Sequence, residues 1–153
     1  MNGEAIGTLA GPLTIAIASD HAGPELKAQI AAQLRDLGHA VLDLGTDGSA
    51  SVDYPTYADA VAAALADGRA ALGVLICGTG IGISIAANRH RHVRAALCHS
   101  PTDARLTRLH NDANVLVLGA RTTGIEVVKD IVATFFATPF EGGRHARRVA
   151  MLG

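Results

Sequence analysis

Five short apolar runs, each closing on a glycine or a small polar residue, recur along this chain: LTIAIAS from Leu13, AVLDLG from Ala40, ALGVLICG from Ala71, VRAALCH from Val93 and VLVLGA from Val115. Most are apolar at consecutive rather than alternate positions, the pattern of strands buried on both faces in a parallel sheet covered by helices. Between the runs the period becomes helical. Leu26, Ile30, Leu34 and Leu37 form a stripe that Pro24 can start and Gly38 can end. Tyr57, Val61 and Leu65 repeat the device after Pro55. Further helices are expected over residues 81–88 and 101–109, in a segment carrying Ile125, Val128, Ile131, Val132 and Phe135, and in a short basic stretch after Gly143. Strand and helix in alternation give an α/β fold: a three-layer, Rossmann-like open sheet of five parallel strands flanked by helices.

A length of 153 residues suits one domain. Residues 1–12 show no periodicity and read as a flexible leader, leaving 13–153 as the single domain. Hydrophobic residues at 49% and charged residues at 18% fit a globular chain, and no apolar run approaches the ~18 to 20 residues of a membrane span. A formal net charge of -1 gives no electrostatic reason to bind nucleic acid or an anionic membrane. The late basic cluster RHARR suits a small anion better. With two cysteines and an N-terminus that is neither basic nor continuously apolar, the expected location is cytoplasmic, with reduced thiols.

Ligands of such sheets bind beyond the carboxyl ends of the strands. That rule selects Ser19, Asp20 and His21 after the first strand, the loop of residues 45–54 after the second, residues 77–82 after the third, His99 and Ser100 after the fourth, and residues 119–121 after the fifth. The third of these reads CGTGIG. Gly78, Gly80 and Gly82 let the backbone turn its N–H groups toward a ligand oxygen, and the helix that follows adds its positive end. The loop is an anion cradle for a phosphate or a transient oxyanion. It fails the dinucleotide fingerprint, whose third glycine would fall at Ile83, and it has no Walker lysine.

Beside the cradle, amides and a helix N-terminus would stabilise a Cys77 thiolate, making it a usable base or nucleophile. Position alone leaves open the other reading, a small buried residue at a strand end, which is the expectation for Cys98. Thr79 is a turn residue or a hydroxyl donor. Asp20 caps the first helix or works with His21. His110 and Asn111 end a helix that leads into a parallel strand, so they belong to the edge opposite the cradle. If His110 is catalytic it must serve a neighbouring subunit's site, which implies a homodimer. Arg121, Arg144 and Arg148 are solvated or bind an anion, the last two sharing a helix face.

The segments SDHAG, VDYPTYA, CGTGIGISIAAN, LHNDANVLVLGAR and EGGRHARR, in one order over roughly residues 13–152, resemble the type B ribose-5-phosphate isomerases, within a family that includes galactose-6-phosphate and allose-6-phosphate isomerases. The resemblance implies an aldose–ketose isomerase without metal or other cofactor, acting on a sugar phosphate through a cis-enediol. It implies Cys77 as the base, Thr79 assisting at the hydroxyl, and the amides of Gly78, Gly80, Ile81 and Gly82 on the enediolate oxygen. His110 would open the furanose ring. Asp20 and Asn111 would hold sugar hydroxyls and Tyr54 would line the pocket, with His21, Arg121, Arg144 and Arg148 on the phosphate. Relatives with a glutamate base carry it at a position matching Gly82 or Ile81, neither of which can act so here. The family's sites lie between two subunits; whether dimers pair into tetramers is left open.

Thr102 departs from the tyrosine of many relatives, His99 and Ser100 replace a variable pair, and the chain stops soon after RHARRVAML. Substrate choice between five-carbon and six-carbon sugar phosphates therefore stays open. From other classes, a nucleotide-binding module is opposed by the missing glycine and lysine, and a redox thiol protein by the lack of a CxxC.

Overall fold

A computed structural model describes Leu9 and residues 11–153. The expected leader falls largely outside the described residues, although Leu9 is partly buried against the core. The chain runs β1 (Thr14–Ser19), α1 (Pro24–Asp36), β2 (Ala40–Asp43), α2 (Tyr54–Ala66), β3 (Leu72–Cys77), α3 (Ile81–Ala87), β4 (Ala95–Leu97), α4 (Pro101–Asn111), β5 (Val115–Gly119), α5 (Ile125–Ala137) and α6 (Arg144–Ala150). The strands form one parallel sheet in the order β2-β1-β3-β5-β4.

Side chains alternate across the sheet and build two cores. Ile15, Ile17, Val74, Ile76, Leu116 and Leu118 point to one side, where they meet Ile30 and Leu34 of α1 and Val128, Ile131 and Phe135 of α5. Ala16, Ala18, Leu75, Cys77, Val115 and Val117 point to the other, against Ala58 and Val61 of α2 and Ile83 and Ala87 of α3. Small residues on this second side let α2 approach closely: a Cβ on Gly73 would stand 2.7 Å from Cγ1 of Val61. Each fully buried aliphatic side chain contributes about 1.5–3 kcal/mol relative to exposure.

Burial on both faces holds for β1, β3 and β5, but β2 and β4 are only partly buried. Strand order explains the difference, since β2 and β4 are the edges. The helix α1 begins at Pro24 as expected but ends at Asp36, so Leu37 leaves the apolar stripe and is 47% exposed. Its buried face instead takes Lys27, whose ammonium binds Asp43 at 2.6 and 2.7 Å and Asp47 at 2.6 Å. Among the described residues no helix is long and apolar enough to cross a membrane.

Candidate active site

The carboxyl edge assembles most of the expected residues. Ser19 at the end of β1 pairs with Ile76, and Cys77 at the end of β3 pairs with Gly119 at the end of β5. Asp20 follows directly, its N–H donating to the Ile76 carbonyl at 3.1 Å. It is buried, and instead of capping α1 its Oδ1 accepts the Ala22 N–H at 2.9 Å. His21 accepts the Val52 N–H on Nδ1 at 3.2 Å, which ties it to the segment leading into α2.

The loop after β3 is shaped by its own hydrogen bonds. The Gly80 N–H donates to Sγ of Cys77 at 3.2 Å, and the Ile81 N–H donates to Oγ1 of Thr79 at 3.2 Å. Two of the amides expected to face a ligand are thus engaged within the loop, which leaves those of Gly78, Thr79 and Gly82 as the candidates. Because Thr79 accepts through its oxygen, its hydroxyl proton remains available for donation. Thr79 is exposed, whereas Cys77 is only 5% exposed and turns toward the α2–α3 layer.

Glycine is required at Gly80 for two reasons. Its φ of +78° lies in the left-handed region, and a Cβ would meet Cδ1 of Leu97 and the Leu118 carbonyl carbon. At Gly82 a Cβ would stand 2.7 Å from Cζ of Tyr54, so the phenol ring rests on the first turn of α3. Arg121 covers the loop from the β5 side: its N–H donates to the Gly78 carbonyl at 2.9 Å, and its Nη1 lies 3.3 Å from where a Gly78 Cβ would be. A guanidinium, a thiol, a hydroxyl and free amides therefore share one lip.

His110, Asn111, Arg144 and Arg148 are elsewhere. The C-terminal end of α4 leads into the first residue of β5, while Cys77 pairs with the last. The five residues of β5 separate the two edges by roughly 13 Å along the strand. Asn111 there helps to line a pocket of about 470 Å³ with Arg94, Thr107 and Leu152. Arg108 braces this end, donating to Asp112 at 3.0 Å and to the carbonyls of Ala113 at 2.6 Å and Thr138 at 3.0 Å. Arg94 also reaches the Asp112 carbonyl, at 2.8 Å.

Two residues beside His110 were not singled out by the sequence. The His145 ring stacks on that of His110 with centroids 4.4 Å apart and planes 20° apart. Oε2 of Glu141 lies 4.0 Å from Nε2 of His110 and 3.9 Å from Nε2 of His145. These three ligand-type groups lie within 4.8 Å of one another. Imidazole lone pairs lie in the ring planes, however, and two nearly parallel planes this far apart share no point about 2 Å from both nitrogens, the distance a bound metal needs. The only advance signal was the four-residue spacing of Glu141 and His145 across a pair of glycines.

Cys98 is buried, and burial together with Asp103 pushes its thiol up to about 12, which keeps it protonated and inert.

Residues 15–152 match the model of a family described as ribose/galactose isomerase. The chain is 50% identical over 135 residues to ribose-5-phosphate isomerase B of Escherichia coli, covering 88% of this chain and 91% of that protein. It is 38% identical over 129 residues to galactose-6-phosphate isomerase subunit LacB of Clostridium acetobutylicum, covering 84% and 75%. The crystal structure of a ribose 5-phosphate isomerase from Thermotoga maritima superposes with a TM-score of 0.89 at 52% identity, over 92% of this chain and 97% of that one.

Proposed function

The chain belongs to the ribose/galactose isomerase family, and on that footing we propose that it interconverts ribose 5-phosphate and ribulose 5-phosphate, with Cys77 as the base. The observation that carries this reading is the Cys77 sulfur at the end of β3, receiving the Gly80 N–H beside the free hydroxyl of Thr79 and the Arg121 guanidinium. A hydrogen beside a sugar carbonyl is weakly acidic, so its removal needs a placed base and donors aimed at the oxygen where charge develops.

Ring opening comes first. His110 takes the proton from the O1 hydroxyl as the C1–O4 bond breaks, then returns it to the ring oxygen. The Cys77 thiolate next removes the C2 hydrogen, giving a cis-enediolate held by the remaining loop amides. Thr79 assists as the O2 proton passes to O1, and the Cys77 thiol delivers its proton to C1, leaving the ketone at C2. Asp20 and Asn111 hold hydroxyls and Tyr54 lines the pocket. Phosphate held by His21, Arg121, Arg144 and Arg148 fixes the open chain in reacting geometry.

Those groups occupy opposite edges of one chain, so a complete site needs a second copy, in a homodimer with two shared sites. A reducing cytoplasm suits an enzyme with a working thiol and two free cysteines. No metal enters the reaction as drawn.

The test is a coupled assay on ribose 5-phosphate, with and without a chelator, beside a panel of allose and galactose 6-phosphates. Highest kcat/KM on the pentose, indifferent to chelation, is expected. A preference for a hexose phosphate would transfer the same mechanism to the six-carbon substrate and overturn the pentose reading.

A further inference from the structure

The reaction gives Glu141 no role, yet the chain holds it in place from both sides. Its N–H donates to the Leu109 carbonyl at 3.1 Å, anchoring it to the last turn of α4. Gly142 and Gly143 follow with φ of +69° and +54°, and this turn starts α6 so that His145 lands on the His110 ring. His145 is 7% exposed and its Nε2 has no hydrogen-bond partner.

We propose that Glu141 is a positioning residue for His110, stabilising the imidazolium formed in ring opening, while the stacked His145 fixes the plane of the His110 ring. The proposal rests on the ring-opening role given to His110. A positive charge arising on His110 has a carboxylate oxygen 4.0 Å from Nε2. It cannot move to the neighbouring ring without entering a buried site. Burial, followed by His110 and Arg144, holds His145 below its ordinary range, and Arg148 acts in the same direction while Glu141 opposes them. Arg108 and Arg94, also at this end, are both engaged with Asp112. Glu141 is therefore the carboxylate that meets the His110 charge, against the arginines of α6.

The test compares the full-length protein with Glu141→Gln and Glu141→Asp. Steady-state kinetics are run from cyclic ribose 5-phosphate and from acyclic ribulose 5-phosphate. In Glu141→Gln the carboxylate 4.0 Å from Nε2 of His110 becomes a neutral amide. The kcat of this variant on the cyclic sugar should fall about tenfold at unchanged KM, with the acyclic direction spared and Glu141→Asp recovering most of the loss. Unchanged kcat on both sugars in Glu141→Gln overturns the proposal while leaving the ring-opening reading intact. Equal losses on both sugars in Glu141→Gln overturn the proposal, and equal losses on both in His110→Asn remove the ring-opening reading with it.

Discussion

The Gly80 N–H points at the Cys77 sulfur from 3.2 Å, across a turn that only glycine can make. An amide so aimed is a better partner for a thiolate than for a thiol, because hydrogen bonds to a charged acceptor are about twice as strong as neutral ones. Gly80→Ala should disturb this in two ways: the left-handed φ costs on the order of 1–2 kcal/mol, and the added methyl collides with Leu97 and the Leu118 backbone. The expected outcome is a lower Tm together with a fall in kcat larger than any change in KM. Full kcat in a folded Gly80→Ala variant would mean that the amide does not support the base.

Cys77 itself gives the sharper result. Cys77→Ala removes the proposed base and little else, since the sulfur belongs to the buried layer under α2 and α3, which already holds Ala16, Ala18 and Ala58. Isomerisation should fall by about 10²–10⁴-fold or more, while calorimetry still detects binding of ribose 5-phosphate. Substantial residual turnover would place the base on another group.

Lys27, in the first turn of α1, offers a test of the scaffold. Burial alone would lower its pKa, but bonds to Asp43 and Asp47 outweigh burial and hold it above the ordinary 10.5. A raised lysine contributes stability that is fully present below pH 10.5 and is lost as pH rises through the folded value. Lys27→Met should cost about 1–3 kcal/mol, less than a fully buried pair because Asp43 is 39% exposed and Asp47 84% exposed and both can be rehydrated. Denaturant titrations at pH 7 and above pH 11 check it: the gap between wild type and variant should narrow at the higher pH.

What could be read from the sequence was whatever depends on local period or on the direction of the chain. Consecutive apolar residues in β1, β3 and β5 gave strands, and the alternation with helices gave the parallel sheet. That in turn put Asp20, Cys77 and Arg121 at one edge and His110 at the other, because a helix entering a parallel strand must end at the strand's start. Features set by distant partners were not legible. Lys27 falls on the buried face of α1 because Asp43, at the end of β2, and Asp47, in the loop that follows, arrive to neutralise it. The exposure of β2 and β4 follows from strand order, which no local pattern encodes. Gly142 and Gly143 announced a turn, but not that the turn would set His145 on His110.

Shared sites make one further demand that separates them from a site built within one chain. Take Cys77→Ala and His110→Asn, each expected to turn over cyclic ribose 5-phosphate poorly. In a mixed dimer one site pairs the two altered residues, and the other pairs an intact Cys77 with an intact His110 from the other subunit. Subunits unfolded together and refolded at equal concentration should form mixed dimers in half of the population, so about one quarter of wild-type sites should reappear. Activity after mixing should rise well above the mean of the two parents and should track the fraction of mixed dimer isolated by affinity tags. Activity that stays at the parental mean, with mixed dimers demonstrably present, would mean that Cys77 and His110 do not meet across the subunit boundary.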